Sequence, residues 1–158
     1  MAALADVICT SFRGESGIVY CFSKKEAEAV AHYLQSRGVK AKFFHSELEL
    51  VGEAGSGRSG RLEVHEDWAT GRLQVVVATI AFGMGINMLT CRFVIHHSMS
   101  KSLAAYYQEA GRAGRDGKPA TCLMYYKPGD LTRLSTLTVA NQDYPRVQDL
   151  YELVRYCE

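Results

Sequence analysis

At 158 residues, with 47% hydrophobic and 22% charged residues, the chain has the length and composition of one globular domain with a sizeable core. Lys and Arg number 18 against 17 Asp and Glu, so no general basic footprint points to nucleic acid, and any such contact has to be local. No apolar run reaches membrane-spanning length and no signal-peptide pattern opens the chain, so no membrane partner is indicated; five scattered cysteines, none at C-x-x-C spacing, fit a reducing compartment and give no complete metal site.

The first strand signal is GIVYCF (17–22), a β-branched and aromatic run bounded by Gly17 and Ser23. Ser23 and Glu26, three residues on, form a capping box; Ala27, Val30, Ala31 and Leu34 follow at helical spacing until Gly38 closes the helix. VKAKFFH (39–45) reads as a second strand. Beyond it, GEAGSGRS (52–59) has the glycine spacing of a phosphate-binding P-loop, with Arg58 where Lys should stand. A working P-loop follows a strand directly and opens a helix, and Arg58 does not fill a Lys slot. The match is therefore read as an accident within a flexible surface insertion at 47–60.

RLEVHEDWAT (61–70) predicts a helix stopped by Gly71, LQVVVATI (73–80) a strand buried on both faces, and CRFVIHH (91–97) another strand. SLAAYYQEA (102–110) reads as a helix and ATCLMYY (120–126) as the last strand. Leu131, Leu134 and Leu137 keep helical spacing, and Val147, Leu150, Tyr151 and Val154 give a final amphipathic helix. Such alternation predicts a mainly parallel sheet with helices on both faces, an α/β fold.

Ligands of such sheets bind beyond the carboxyl ends of the strands. Two stretches fall there. In TIAFGMGIN (79–87), Gly83 and Gly85 permit a tight, closely approachable turn. In QEAGRAGRDG (108–117), three glycines bracket Arg112 and Arg115, whose guanidinium forks match phosphate oxygens. A basic surface turn, salt-bridged to Glu109 and Asp116, accounts for the same spacing. Tyr106 and Tyr107 offer base stacking or core packing, and His96 and His97, with no metal-ligand company in the sequence, read as strand-end residues.

Taken together, these stretches resemble the second RecA-like lobe of superfamily 2 helicases, within them the RecQ family and its eukaryotic RECQL-type branch. GIVYCFSKKEAE is similar to motif IV, VVATIAFGMGIN to motif V and YYQEAGRAGRDG to motif VI, and the tail DLYELVRYCE also matches. The resemblance implies a RecA-like three-layer fold with the lobe at 17–140, a remnant of the inter-lobe connection at 1–16, and at 141–158 a helix leading to an absent zinc-binding subdomain. It implies a nuclear, DNA-dependent ATPase that unwinds duplexes 3′ to 5′, with ATP and Mg²⁺ in a cleft shared with a first RecA-like lobe. That lobe would carry the P-loop and acidic box, so this chain alone would not hydrolyse ATP.

Residue by residue, the resemblance puts Arg115 in the arginine-finger role, Arg112 as its supporting arginine and Gln108 as their polar neighbour. Gly85 and Asn87 would face the nucleotide, Asn87 where the family often has Asp. Ser23, Lys24 and Thr79 would touch the tracked DNA strand; Ser23 and Thr79 also suit plain capping, and Lys24 and Lys25 simple solvation. Cys157 matches the first Zn²⁺ ligand, whose partner cysteines lie downstream in the family. Two other classes are open: a lobe of a DEAD/DEAH-type RNA helicase, and a non-catalytic nucleic-acid-binding platform. Intact Arg112 and Arg115 speak against the second.

Overall fold

The computed structural model describes residues 1–45, 60–79, 88–140 and 147–157. In chain order these form α1 (Ala2–Ser11), β1 (Gly17–Tyr20), α2 (Lys24–Ser36), β2 (Ala41–Phe44), α3 (Gly60–Ala69), β3 (Val75–Ala78), β4 (Phe93–His96), α4 (Leu103–Ala110), β5 (Thr121–Met124), α5 (Pro128–Ala140) and α6 (Val147–Cys157). The strands make one sheet in the order β2-β3-β1-β4-β5, and every pair is parallel. Each predicted strand is present, trimmed at its ends, because pairing runs only where both neighbours are in register.

Register then positions the site. Tyr20 pairs with Ala78 on one side and His96 on the other, so β3, β1 and β4 end level. The residues that follow them share one edge of the sheet. Side chains alternate between faces along each strand. Val19, Cys21, Val75, Val77, Phe93 and Ile95 pack with α1 and α2, while Ile18, Tyr20, Val76, Ala78 and Val94 pack with Val64 and Trp68 of α3. With helices over both faces, β3 can be apolar at all four positions, which is how its sequence reads. Tyr106, Leu134, Leu150, Leu153 and Val154 join α4, α5 and α6 in a further cluster.

The sequence gives no helix before Gly17, yet α1 is there. Its Leu4, Ala5 and Ile8, with Phe12 behind it, are buried in the core beside α2. The segment read as a connection is thus packed onto the lobe. Its pattern is hard to see because this short helix is apolar at most positions, so no helical period stands out. On the opposite face, Lys42 of β2 bridges Glu63 (2.9 Å) and Asp67 (3.2 Å) of α3, and Arg72 shares Asp67.

Gly17 does more than bound a strand. A Cβ placed there would run into the ring of Phe93, which is fully buried and stacked on Phe12 at 4.5 Å. Gly17→Ala should therefore cost about 1–3 kcal/mol, the usual range for overpacking a filled core. Urea denaturation checks this; an unchanged midpoint would mean that the ring moves aside freely.

Candidate functional site

The arginine-bearing loop is built from the end of α4. Ser102 caps the helix, its Oγ accepting from the Ala105 N–H at 3.1 Å. Past Ala110 the backbone tightens: the Gly111 N–H donates to Tyr107 O (2.8 Å), Arg112 N–H to Glu109 O (3.3 Å) and Ala113 N–H to Ala110 O (3.0 Å). The Gly114 N–H then reaches Cys91 O at 2.9 Å, pinning the loop to the start of β4. Gly114 has φ +67°, and a Cβ on it would stand 2.9 Å from Lys118 O, so the position requires glycine. At the far end Asp116 binds Arg92 at 2.5 Å, and Arg92 also donates to Pro119 O (3.0 Å) and Leu89 O (3.2 Å).

Within this frame the two arginines part company. Arg112 is buried, 8% exposed, whereas Arg115 is exposed and its Nε donates to Gly111 O at 3.3 Å. The acids proposed to hold a basic turn have other work. Asp116 binds Arg92, and Glu109 is buried, its Oε2 accepting from His96 Nε2 (2.8 Å) and Ser100 Oγ (2.7 Å). A carboxylate only accepts here, so His96 carries its proton on Nε2. His96 stacks on Tyr20 at 5.3 Å and lies 5.1 Å from the Tyr106 ring. Burial pushes the Tyr20 phenol up, with the Arg112 charge opposing and the Glu109 charge adding. Both charged groups therefore sit close to Tyr20.

On the other face of the same strand ends stands Glu26. Ser23 is the N-cap of α2, its Oγ accepting from the Glu26 N–H at 3.2 Å. Glu26 returns the bond to the Phe22 N–H (2.9 Å), and its second oxygen accepts from His97 Nδ1 (2.9 Å) and Ser98 Oγ (2.7 Å). Burial alone would raise its pKa, but these bonds, with the nearby imidazole, outweigh it and hold the carboxyl down at about 2. Along the chain His97 has no ligand company; the fold puts it with Cys21 and Glu26, their ligand atoms within 4.8 Å of one another.

The remaining candidates are dispersed. Thr79 is half-buried at the end of β3, its N–H on Phe44 O at 3.3 Å, and Lys24 is half-buried in the first turn of α2. Gln108 is exposed beside exposed Tyr107, while Tyr106 is packed in the core. Cys157 is exposed on the last turn of α6 and belongs to no metal-ligand cluster among the described residues. Gly83, Gly85 and Asn87 and the P-loop-like stretch 52–59 lie outside the described residues. Sequence reasoning missed the clamp on Glu109 and the second set of Glu26 bonds. The capping box flagged Glu26 for its local bond only, and Glu109 carried no signal beyond its charge.

A parallel sheet in this order, with helices on both faces, defines a RecA-like helicase lobe. Its arginine loop is pinned at Cys91 and Arg92, at the start of β4, and not beyond the carboxyl ends of the strands as the spacing suggests, because α4 runs back along the sheet before the loop begins. The chain belongs to the family of the helicase conserved C-terminal domain, whose model matches residues 1–117. It is 48% identical over 155 residues to the ATP-dependent DNA helicase Q1 of Rattus norvegicus, covering 98% of this chain and 23% of that protein. The RecQ-like DNA helicase blm-1 of Caenorhabditis elegans is 41% identical over 152 residues, covering 93% of this chain and 15% of that protein. The chain thus spans about a quarter or less of these relatives. Among solved structures, the Mycobacterium smegmatis helicase Lhr bound to ssDNA and AMP-PNP matches with a TM-score of 0.64 and 25% identity, covering 92% of this chain and 19% of that one.

Proposed function

We propose that this chain is the second motor lobe of an ATP-dependent 3′–5′ DNA helicase of the RecQ type, closing an ATP site formed with a first lobe. The observation that carries the reading is the sorting of the two arginines: Arg115 is presented to solvent on a loop fixed at Gly114 and Asp116, and Arg112 is set into the wall behind it. A finger acting across a cleft needs a reaching guanidinium on a base that does not move. Bound ATP with Mg²⁺ supplies a γ-phosphoryl group for transfer to water. Arg115 offers donors to the charge that develops there, Arg112 holds the loop and Gln108 stands beside it.

The DNA strand would run along the carboxyl ends of the strands, where Ser23 at the N-cap of α2, Lys24 and Thr79 would offer contacts to phosphate. A zinc-binding unit beginning at Cys157 would follow.

The test uses the two-lobe enzyme on duplexes with a 3′ or a 5′ single-stranded tail, in DNA and in RNA. Unwinding of 3′-tailed DNA at the expense of ATP is expected; preference for RNA would move the chain to the RNA helicases. The 158-residue chain alone should show no ATP turnover with or without DNA, because it provides one wall of the cleft. Substantial turnover by it would overturn the two-lobe reading.

A further inference from the structure

The buried polar cluster behind the arginine loop has more charge and less solvation than a packing element needs. Tyr20, His96, Ser100, Glu109 and Arg112 are each 8% exposed or less. The buried atoms in it with no hydrogen-bond partner among the described residues include His96 Nδ1 and Glu109 Oε1. An apolar set of the same shape would avoid that penalty, so stability does not account for the cluster. Orientation does.

We propose that Glu109 is the positioning residue of the arginine loop, clamped by His96 and Ser100 so that Arg112 and Arg115 are presented in one fixed arrangement. The inference rests on the arginine-finger reading above. The carboxylate ties the last turn of α4 to the end of β4 through His96 and to the loop after β4 through Ser100. From that turn the loop takes its bearings: the Glu109 carbonyl accepts from the Arg112 N–H, and the Gly111 carbonyl accepts from Arg115 Nε. Tyr20, at the end of β1, stacks on His96 and has the Arg112 charge near its phenol group, so β1, β4 and the loop meet in one buried cluster. If Glu109 loses its clamp, the helix end can rotate and Arg115 starts from a shifted base. Misplacement of a catalytic group by about 1 Å can cost on the order of 10²-fold in rate. Glu109 itself touches no substrate.

The test compares Glu109→Leu, His96→Leu, His96→Gln and Arg115→Ala in the two-lobe enzyme, with ATP hydrolysis measured at saturating single-stranded DNA and folding checked by thermal melts. Glu109→Leu, which removes the oxygen that accepts both bonds, and His96→Leu should lower kcat roughly 10-fold or more, leaving KM for ATP within about threefold. His96→Gln should restore much of kcat, because its amide nitrogen can donate from near the position of Nε2. A packing role would move the melting temperature and leave kcat of the folded enzyme alone, with no advantage of Gln over Leu at His96. Wild-type kcat in Glu109→Leu alongside a dead Arg115→Ala overturns this proposal alone. An active Arg115→Ala overturns the finger reading beneath it. If Glu109→Leu does not fold, the His96 pair decides: equal kcat for Leu and Gln rejects the clamp.

Discussion

Arg115→Ala in the two-lobe enzyme is expected to lower single-turnover ATP hydrolysis roughly 10³-fold or more, while ATP affinity changes little. The expectation follows from where the guanidinium stands. Arg115 is exposed on a loop held by Gly114 and Asp116, and on the proposed two-lobe reading the first lobe makes most of the phosphate contacts. Such a group contributes mainly when negative charge develops in the transition state, and a 10³-fold loss corresponds to about 4 kcal/mol of that stabilisation. Arg115→Lys should rescue little, since an ammonium does not reproduce the planar fork. Arg112→Ala differs in kind: it empties a buried position beside Tyr20 and should weaken nucleotide binding and fold stability as well as turnover. Nucleotide affinity and single-turnover rates measured side by side separate the two arginines. Wild-type hydrolysis by Arg115→Ala would reduce the loop to a basic turn.

Glu26→Ala should destabilise the lobe by on the order of 3 kcal/mol at pH 7, and the loss should depend on pH. The carboxylate accepts from the Phe22 N–H, His97 Nδ1 and Ser98 Oγ, so its removal leaves three half-buried donors without that acceptor and removes part of the α2 cap. Its pKa is about 2 in the fold against an ordinary 4.5. A depressed carboxyl pKa stabilises the fold fully above the unfolded value and loses that contribution as pH falls from 4.5 towards 2. The stability gap between wild type and Glu26→Ala should therefore be widest at neutral pH and clearly narrower at pH 3. Urea unfolding at pH 7 and pH 3 checks this; equal gaps would show that Glu26 acts as a neutral spacer.

Period and punctuation made most of the fold legible. Two-residue alternation, four-residue helical spacing and terminators such as Gly38 placed every described strand and every described helix after Gly17, because these signals are local and each element carries its own. The α1 helix escaped because it is short and its burial is decided by a sheet surface built from residues far along the chain. The capping box was readable for the same local reason: Ser23 and Glu26 are one turn apart. What else Glu26 binds was not, since His97 lies 71 residues away and meets it only because β1 and β4 are neighbours.

The sequence by itself determined the α/β class, the order of the elements, and the pairing of Arg112 and Arg115 within a glycine-bracketed loop, since all of these depend on spacing along the chain. Only the tertiary structure decided that Arg112 turns inward and Arg115 outward, that Asp116 is committed to Arg92, and that Glu109 is clamped by His96 and Ser100. The reason is physical. Spacing says which residues share a turn or a strand face, but burial and hydrogen-bond partners depend on which strands lie side by side and how level they end. In this lobe the level ends of β1 and β4 bring Tyr20 to His96 on one face of the sheet and Glu26 to His97 on the other.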